Sequence, residues 1–138
     1  MHVFGPFARF PLAAERAYNV AEAPLALHES MKRAVGLERT VFVQASGHGT
    51  DNRALLAALA ELGPRGRAVA VVEPGAPRRE LESLHAAGVR GLRLNFQTLR
   101  ERYAGDAGQW LAKFEALAAP CGWHLQLFCA ADLLAGME

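Results

Sequence analysis

Cysteine is scarce in this sequence: Cys121 and Cys129 are the only two. Eight residues apart, they match no zinc-ligand spacing and make no disulfide framework, so two buried, reduced thiols are expected. The five histidines nowhere cluster. No apolar run approaches the roughly 18 residues that a bilayer-spanning helix needs. The opening Met1-His2-Val3-Phe4-Gly5-Pro6 has neither a basic n-region nor an apolar h-region, so a cytoplasmic location is the default expectation. An excess of either charge is also missing. Fifteen Lys and Arg against 14 Asp and Glu leave +1, with both signs interspersed. Such a balance gives no electrostatic footprint for nucleic acid or for an anionic membrane, and neither is expected as a partner.

What is present is a repeated alternation of apolar strand and amphipathic helix. The 138 residues are about half apolar, enough for one domain with its own core. Residues 39–45, 67–73, 91–96 and 123–129 read as strands; the first two are nearly continuous apolar runs, which suit parallel strands buried on both faces. His2-Val3-Phe4 reads as the last piece of an earlier strand. Between them lie helices. One runs from Pro24 to Gly36, with Leu27, Met31, Ala34 and Val35 on one face. The next is capped by Thr50 or Asp51, carries the stripe Leu55, Leu56, Leu59 and Leu62, and is stopped by Gly63-Pro64. A third spans about Pro77 to Ala87 around Leu81 and Leu84. A fourth starts near Asp106 and buries Trp110, Leu111, Phe114, Leu117 and Ala118. A fifth begins near Ala131. No linker or domain boundary interrupts 1–138. Strands joined by such helices are parallel, with right-handed crossovers. Two α/β architectures fit: the N-terminal half of a TIM-type (β/α)8 barrel, or a five-stranded doubly wound flavodoxin-like domain.

In both, the working face is the C-terminal edge of the sheet, and there the sequence turns polar. Gln44 and Ser46 end one strand, Arg93 and Asn95 the next but one, and His124, Gln126 and Phe128 share a face of the last. A burying strand would use Val, Ile or Leu at these points. Removing a guanidinium from water is costly unless a partner pairs it, so Arg93 points either to an anion pocket or to a structural pair with an acid such as Glu73. Gln44 and Asn95 suit loop backbone groups as well as a site. His28 and His85 fall on helices and read as packing or surface residues, and His124 as structural. The Gly-rich Ser46-Gly47-His48-Gly49-Thr50-Asp51-Asn52 opens a helix and offers N–H groups to an anion, a carboxylate being the reasonable guest. It is neither a Walker loop nor GxGxxG.

Several stretches together resemble one family. His2-Val3-Phe4-Gly5-Pro6 with Phe10-Pro11 and Tyr18, then Val43-Gln44-Ala45-Ser46-Gly47-His48-Gly49-Thr50-Asp51-Asn52, Ala87-Gly88-Val89-Arg90-Gly91-Leu92-Arg93-Leu94-Asn95-Phe96 and Trp123-His124-Leu125-Gln126-Leu127 resemble, in that order, the 2-pyrone-4,6-dicarboxylate lactonases of the amidohydrolase superfamily. The resemblance covers essentially the whole chain. It implies a barrel of which this is the N-terminal half, truncated at both ends, and a hydrolase that opens the cyclic ester of a small dianion in the breakdown of lignin-derived aromatics. It implies His2 as the second histidine of an HxH motif and as the catalytic group. It implies Tyr18, Ser46, His48 and Arg93 as substrate-binding residues, with Arg100 or Arg102 as a second guanidinium. Phe128 stands near where the family places a tyrosine. The general base, an aspartate on strand eight, is expected beyond Glu138, so the chain by itself is expected to be inactive. No cofactor is expected here, although a zinc-like divalent ion suits the full-length enzyme of the wider superfamily. The expected partners are a small anionic substrate and, for a half barrel, another copy of itself. The runner-up function is a small-molecule or phosphoacceptor binding module of flavodoxin type.

Overall fold

The computed structural model describes residues 1–98, 103 and 105–135. Four strands appear among them: β1 (Thr40–Val43), β2 (Gly66–Ala70), β3 (Val89–Asn95) and β4 (His124–Phe128). They alternate with α1 (Leu25–Ala34), α2 (Arg53–Leu62), α3 (Arg78–Ala86), α4 (Ala107–Ala118) and α5 (Ala131–Ala135). All strand pairs are parallel and the order is β1-β2-β3-β4. Every crossover therefore moves the same way along the sheet, and right-handed crossovers then put all the helices on one face. A doubly wound domain reverses its order to cover both faces. The flavodoxin-like alternative is overturned by this order, and the sheet winds as part of a barrel.

The register explains the core. Phe42 pairs with Ala68, Ala70 with Leu92, and Leu92 with Leu125, so these side chains share the face beneath the helices. Leu55, Leu59 and Leu62 of α2, Leu81 and Leu84 of α3, and Phe114 and Ala118 of α4 close over them. The expected stripes of α2 to α4 face this core, with Leu56, Trp110, Leu111 and Leu117 only partly buried. Asn52, and not Thr50 or Asp51, stands at the N-cap of α2, while the Asp51 carboxylate accepts from the Arg53 N–H at 3.1 Å, and Asp106 caps α4 through the Gly108 N–H at 2.8 Å. The opposite face carries Val41, Val43, Val69, Gly91, Arg93, Asn95, Gln126 and Phe128. Val41 and Phe128 are exposed on it, because nothing among the described residues stands across from them.

Two expectations are corrected. His2-Val3-Phe4 is not a sheet strand. Met1 lies along the outer edge of β1, accepting from the Val43 N–H at 2.8 Å while its amino group donates to the Val41 carbonyl at 3.2 Å. Phe4 then pairs only with Ala23, as an isolated antiparallel bridge. Gly5, at φ +80°, turns the chain away before a ladder can form. The second correction concerns α1. Leu27 and Val35 are each 61% exposed and Met31 43%, while Leu25, His28 and Lys32 are buried. The helix is turned away from its apolar stripe because its polar residues find partners inside. His28 Nε2 meets Thr40 Oγ1 at 2.9 Å, and Lys32 Nζ donates to Glu29 Oε1 at 3.0 Å and to the Glu38 carbonyl at 3.2 Å. A buried ammonium so paired is tolerated where an unpaired one is not.

Candidate functional site

The C-terminal ends of β1, β3 and β4 and the segment before α1 bring the expected polar residues together. Arg93 and Gln126 are register partners on β3 and β4, and Arg93 Nη1 donates to Gln126 Oε1 at 3.2 Å. The guanidinium carbon also lies 5.0 Å from the centre of the Phe128 ring, a cation–π distance. Arg93 Nε is buried and has no hydrogen-bond partner. Arg93 forms no ion pair among the described residues. The structural pairing with Glu73 is therefore not what the structure shows: Glu73 Oε1 accepts from Thr50 Oγ1 at 3.4 Å. Burial disfavours the Arg93 charge and lowers its pKa, and the neighbouring Tyr18 works weakly in the other direction.

Tyr18 and Ser46 meet through their hydroxyls at 2.9 Å. Both can still turn a proton or a lone pair outward, since each hydroxyl donates once and accepts twice. His2 is open to the inner side of the sheet, and its Nδ1 lies 2.7 Å from the Val43 carbonyl. A carbonyl only accepts, so Nδ1 carries the proton and Nε2 keeps its lone pair. The pKa of His2 is lowered, first by partial burial; the Val43 hydrogen bond opposes this, and the charges of Arg93 and the terminal amine add to it. At neutral pH His2 is a neutral imidazole with an available acceptor nitrogen.

His48 is only 2% exposed. Its Nδ1 reaches the Pro11 carbonyl at 3.1 Å, and its ring stacks on Phe4 at 5.7 Å and meets Phe7 edge-on at 6.5 Å. Its Nε2 is buried without a partner. His48 thus forms part of the wall that ties the Pro11 segment to the loop after β1. A cleft of about 1200 Å³ lies between that segment and that loop and touches Ser46 and His48, whereas Arg93 does not line it.

Part of the loop's N–H set is already engaged. The His48, Gly49 and Asp51 N–H groups donate to Ala45, Ser46 and His48 carbonyls, which removes those three donors from the anion nest expected at Ser46–Asn52. Sequence reasoning left open what Gln44 and Asn95 do, and the structure assigns both to backbone. Gln44 Nε2 donates to the Gly49 and Asp51 carbonyls at 3.2 and 2.9 Å, and Asn95 Oδ1 accepts from the Gln97 and Thr98 N–H groups. Asn52, not singled out in the sequence, clamps the same loop to the end of β2 by exchanging hydrogen bonds with both backbone groups of Val71. The sequence marks it only as a carboxamide at a helix start; its partner Val71 lies 19 residues away. Arg100 and Arg102 lie outside the described residues.

A family model for amidohydrolases matches residues 1–137. The chain belongs to the amidohydrolase family. It is 39% identical over 133 residues to a 2-pyrone-4,6-dicarboxylate hydrolase of Comamonas testosteroni, covering 96% of this chain and 43% of that protein. It is 31% identical over 139 residues to a 4-sulfomuconolactone hydrolase of Rhizobium radiobacter, covering 99% of this chain and 46% of that one. Among solved structures it resembles a probable 2-pyrone-4,6-dicarboxylic acid hydrolase of Acinetobacter baumannii with citric acid bound, at a TM-score of 0.77 and 27% identity, over 99% of this chain and 50% of that one. The chain thus spans about half the length of the relatives it matches, in keeping with half of a TIM-type barrel.

Amidohydrolases typically use a divalent metal. Among the described residues no three His, Cys, Asp or Glu side chains converge as ligands. His2, the ligand that the family resemblance implies, sits within the field of the Arg93 guanidinium. The described part of this amidohydrolase therefore does not by itself fit a stable metal centre, which needs three or four protein ligands.

Proposed function

We propose that this chain carries the substrate-binding half of a lactone-hydrolase site for a small dicarboxylate such as 2-pyrone-4,6-dicarboxylate. One observation carries the reading. A half-buried guanidinium is held by a neutral amide and an aromatic ring, with no carboxylate partner among the described residues and with Nε unsatisfied. A buried charge in that state is stabilised by an anionic guest, and the planar fork of arginine matches a carboxylate. The names of the two hydrolases reported above agree in reaction.

Within that reading Arg93 binds one carboxylate, and the paired hydroxyls of Tyr18 and Ser46 orient the guest beside it. Neutral His2 reaches the ester carbonyl region through a water that donates one hydrogen to its Nε2 lone pair and the other to the carbonyl. His48 serves from the wall, holding the Pro11 segment against the loop. Hydrolysis proceeds by addition of water to the ester carbonyl, loss of the ring oxygen as leaving group and return of the proton to it, which needs a general base. We place that base outside this half. The isolated chain then hydrolyses the lactone on the order of 10²–10⁴-fold more slowly than a full-length relative. The substrate is a dianion that does not cross bilayers unaided and both cysteines are free thiols. Both points support a cytoplasmic role in the breakdown of aromatic compounds.

The test is direct binding. Isothermal titration of the unaltered chain with 2-pyrone-4,6-dicarboxylate and with citrate is expected to show one site, lost in Arg93→Met. Equal binding by the variant, or none by the unaltered chain, would overturn the reading.

A further inference from the structure

The carboxamide on β4 opposite Arg93 has a consequence beyond packing. The acceptor at this position sits 3.2 Å from Arg93 Nη1 and is fixed there by register, since Arg93 and Gln126 are direct partners across parallel strands. A glutamate would fit the same space and accept the same hydrogen bond more strongly, because a charge-assisted bond is roughly twice as strong as one to a neutral acceptor. It would also cancel the guanidinium charge. The second holder, Phe128, is likewise uncharged; it steadies the cation by its ring quadrupole at 5.0 Å. Both contacts that β4 makes with Arg93 therefore orient the guanidinium and leave its charge uncompensated.

We propose that Gln126 is a positioning residue which fixes the Arg93 guanidinium for a carboxylate guest while leaving its positive charge available. The proposal rests on the anion-site reading given above and deepens it: selectivity for an anion is set by the absence of charge at position 126 as much as by the arginine. Substituting a carboxylate there builds the arginine its own internal guest. A resident carboxylate at this distance competes at an effective concentration that no dissolved carboxylate matches.

The experiment uses the full 138-residue chain and citrate as the probe, at pH 7, with three variants. Arg93→Met tests the anion site. Gln126→Glu tests charge, and Gln126→Met, which keeps the volume and removes the acceptor, tests orientation. Affinity is read by calorimetry, stability by thermal unfolding, and the site itself by the Arg93 Nε–H resonance in a ¹H–¹⁵N spectrum. Gln126→Glu is expected to weaken citrate binding by about tenfold or more, with a thermal midpoint equal to or above that of the unaltered chain. Its Arg93 Nε–H resonance should no longer move on adding citrate, whereas in the unaltered chain it does. Gln126→Met should weaken binding by a smaller factor, with the resonance broadened. A merely structural role for Gln126 would instead couple lost affinity to lost stability in both variants.

The outcomes separate. Absent binding in the unaltered chain, or binding indifferent to Arg93→Met, removes the anion site itself. Binding that vanishes in Arg93→Met yet is unchanged in Gln126→Glu leaves the site standing and overturns the role of Gln126. Should Gln126→Glu fail to fold, Gln126→Met decides: unchanged affinity and an unchanged resonance there overturn the proposal.

Discussion

Single residues in this chain are polar in places where the surrounding packing is apolar, and each such residue is settled by who accepts or donates to it. His28 is the clearest. Its Nε2 is engaged with Thr40, its ring meets Phe42 edge-on at 5.3 Å, and its Nδ1 is buried without a partner. A proton on Nδ1 would be an unsatisfied buried donor, and the pKa of His28 is lowered, first by burial, with Glu29 opposing and Lys32 and the terminal amine adding. His2 is lowered as well. Both fall below the unfolded value of 6.5, so on acidification the unfolded chain takes up protons first. Stability is fully present above about pH 6.5 and declines as pH falls through the depressed folded values. Thermal midpoints between about pH 7.5 and 5 should therefore slope downward with acid, and His28→Gln, which keeps an acceptor or donor for Thr40 and cannot titrate, should flatten that slope. An unchanged slope would mean that His28 does not contribute. Lys32 gives a second contrast. It is 2% exposed, and Glu29 and the Glu38 carbonyl satisfy it. Glu29→Gln leaves the ammonium buried with a weaker partner, whereas Lys32→Met removes the charge and keeps the stem. Lys32 is the buried member of the pair, whereas Glu29 is more exposed and keeps Arg65 at 3.7 Å; losing its partner therefore costs the ammonium more than it costs the carboxylate, and denaturant midpoints should rank unaltered, Lys32→Met, Glu29→Gln in falling order.

At the scale of elements, the strands and three of the helices were legible because period and punctuation agree. Nearly continuous apolar runs point to β1 and β2, alternation points to β3 and β4, and apolar stripes point to α2, α3 and α4. The face of α1 was not legible. Leu27, Met31 and Val35 make a cleaner apolar stripe than Leu25, His28 and Lys32, and only the tertiary partners Thr40 and Glu38 reveal why the polar set lies inside. The first strand was misread for a related reason: its composition is that of a strand, but a single turn at Gly5 removes the length a ladder needs. The candidate site was legible as residue types at strand ends, while the roles of Gln44 and Asn52 as loop clamps depend on long-range partners that spacing does not encode. One β3 position joins the two strands of the site tightly. A Cβ on Gly91 would come within 2.6 Å of the His124 ring and 2.9 Å of the His124 carbonyl. Because part of that obstacle is backbone, Gly91→Ala has to spread β3 from β4, at a cost of about 1–3 kcal/mol. The measurement is a urea titration combined with citrate binding, since the same displacement moves Arg93 away from Gln126. A variant as stable as the unaltered chain would show that the strands already have that freedom.

The molecule as a whole presents apolar surface that a closed barrel would cover. Val41 and Phe128 are 54% and 42% exposed on the inner face of the sheet, and Leu27, Met31, Val35 and Leu37 are exposed along and just after α1. Open parallel strands with an apolar inner face are a template for association. Two copies cannot simply complete an eight-stranded ring edge to edge, because Met1 already hydrogen-bonds along the outer edge of β1. Contact through the apolar surfaces themselves is the more accessible route. The chain is therefore expected to self-associate in a concentration-dependent way, and sedimentation velocity from about 5 to 200 µM, bracketing the micromolar range where interfaces of modest area dissociate, should show the weight-average mass rising. Leu27→Lys combined with Val35→Glu places charge on the α1 stripe without touching the core, and Phe128→Ser removes an exposed apolar ring from the inner face. The variant that restores the monomer identifies the contact surface. A monomer at all concentrations in the unaltered chain would instead mean that the open sheet hides its inner face by its own means, and the apolar stripe of α1 would then need another explanation.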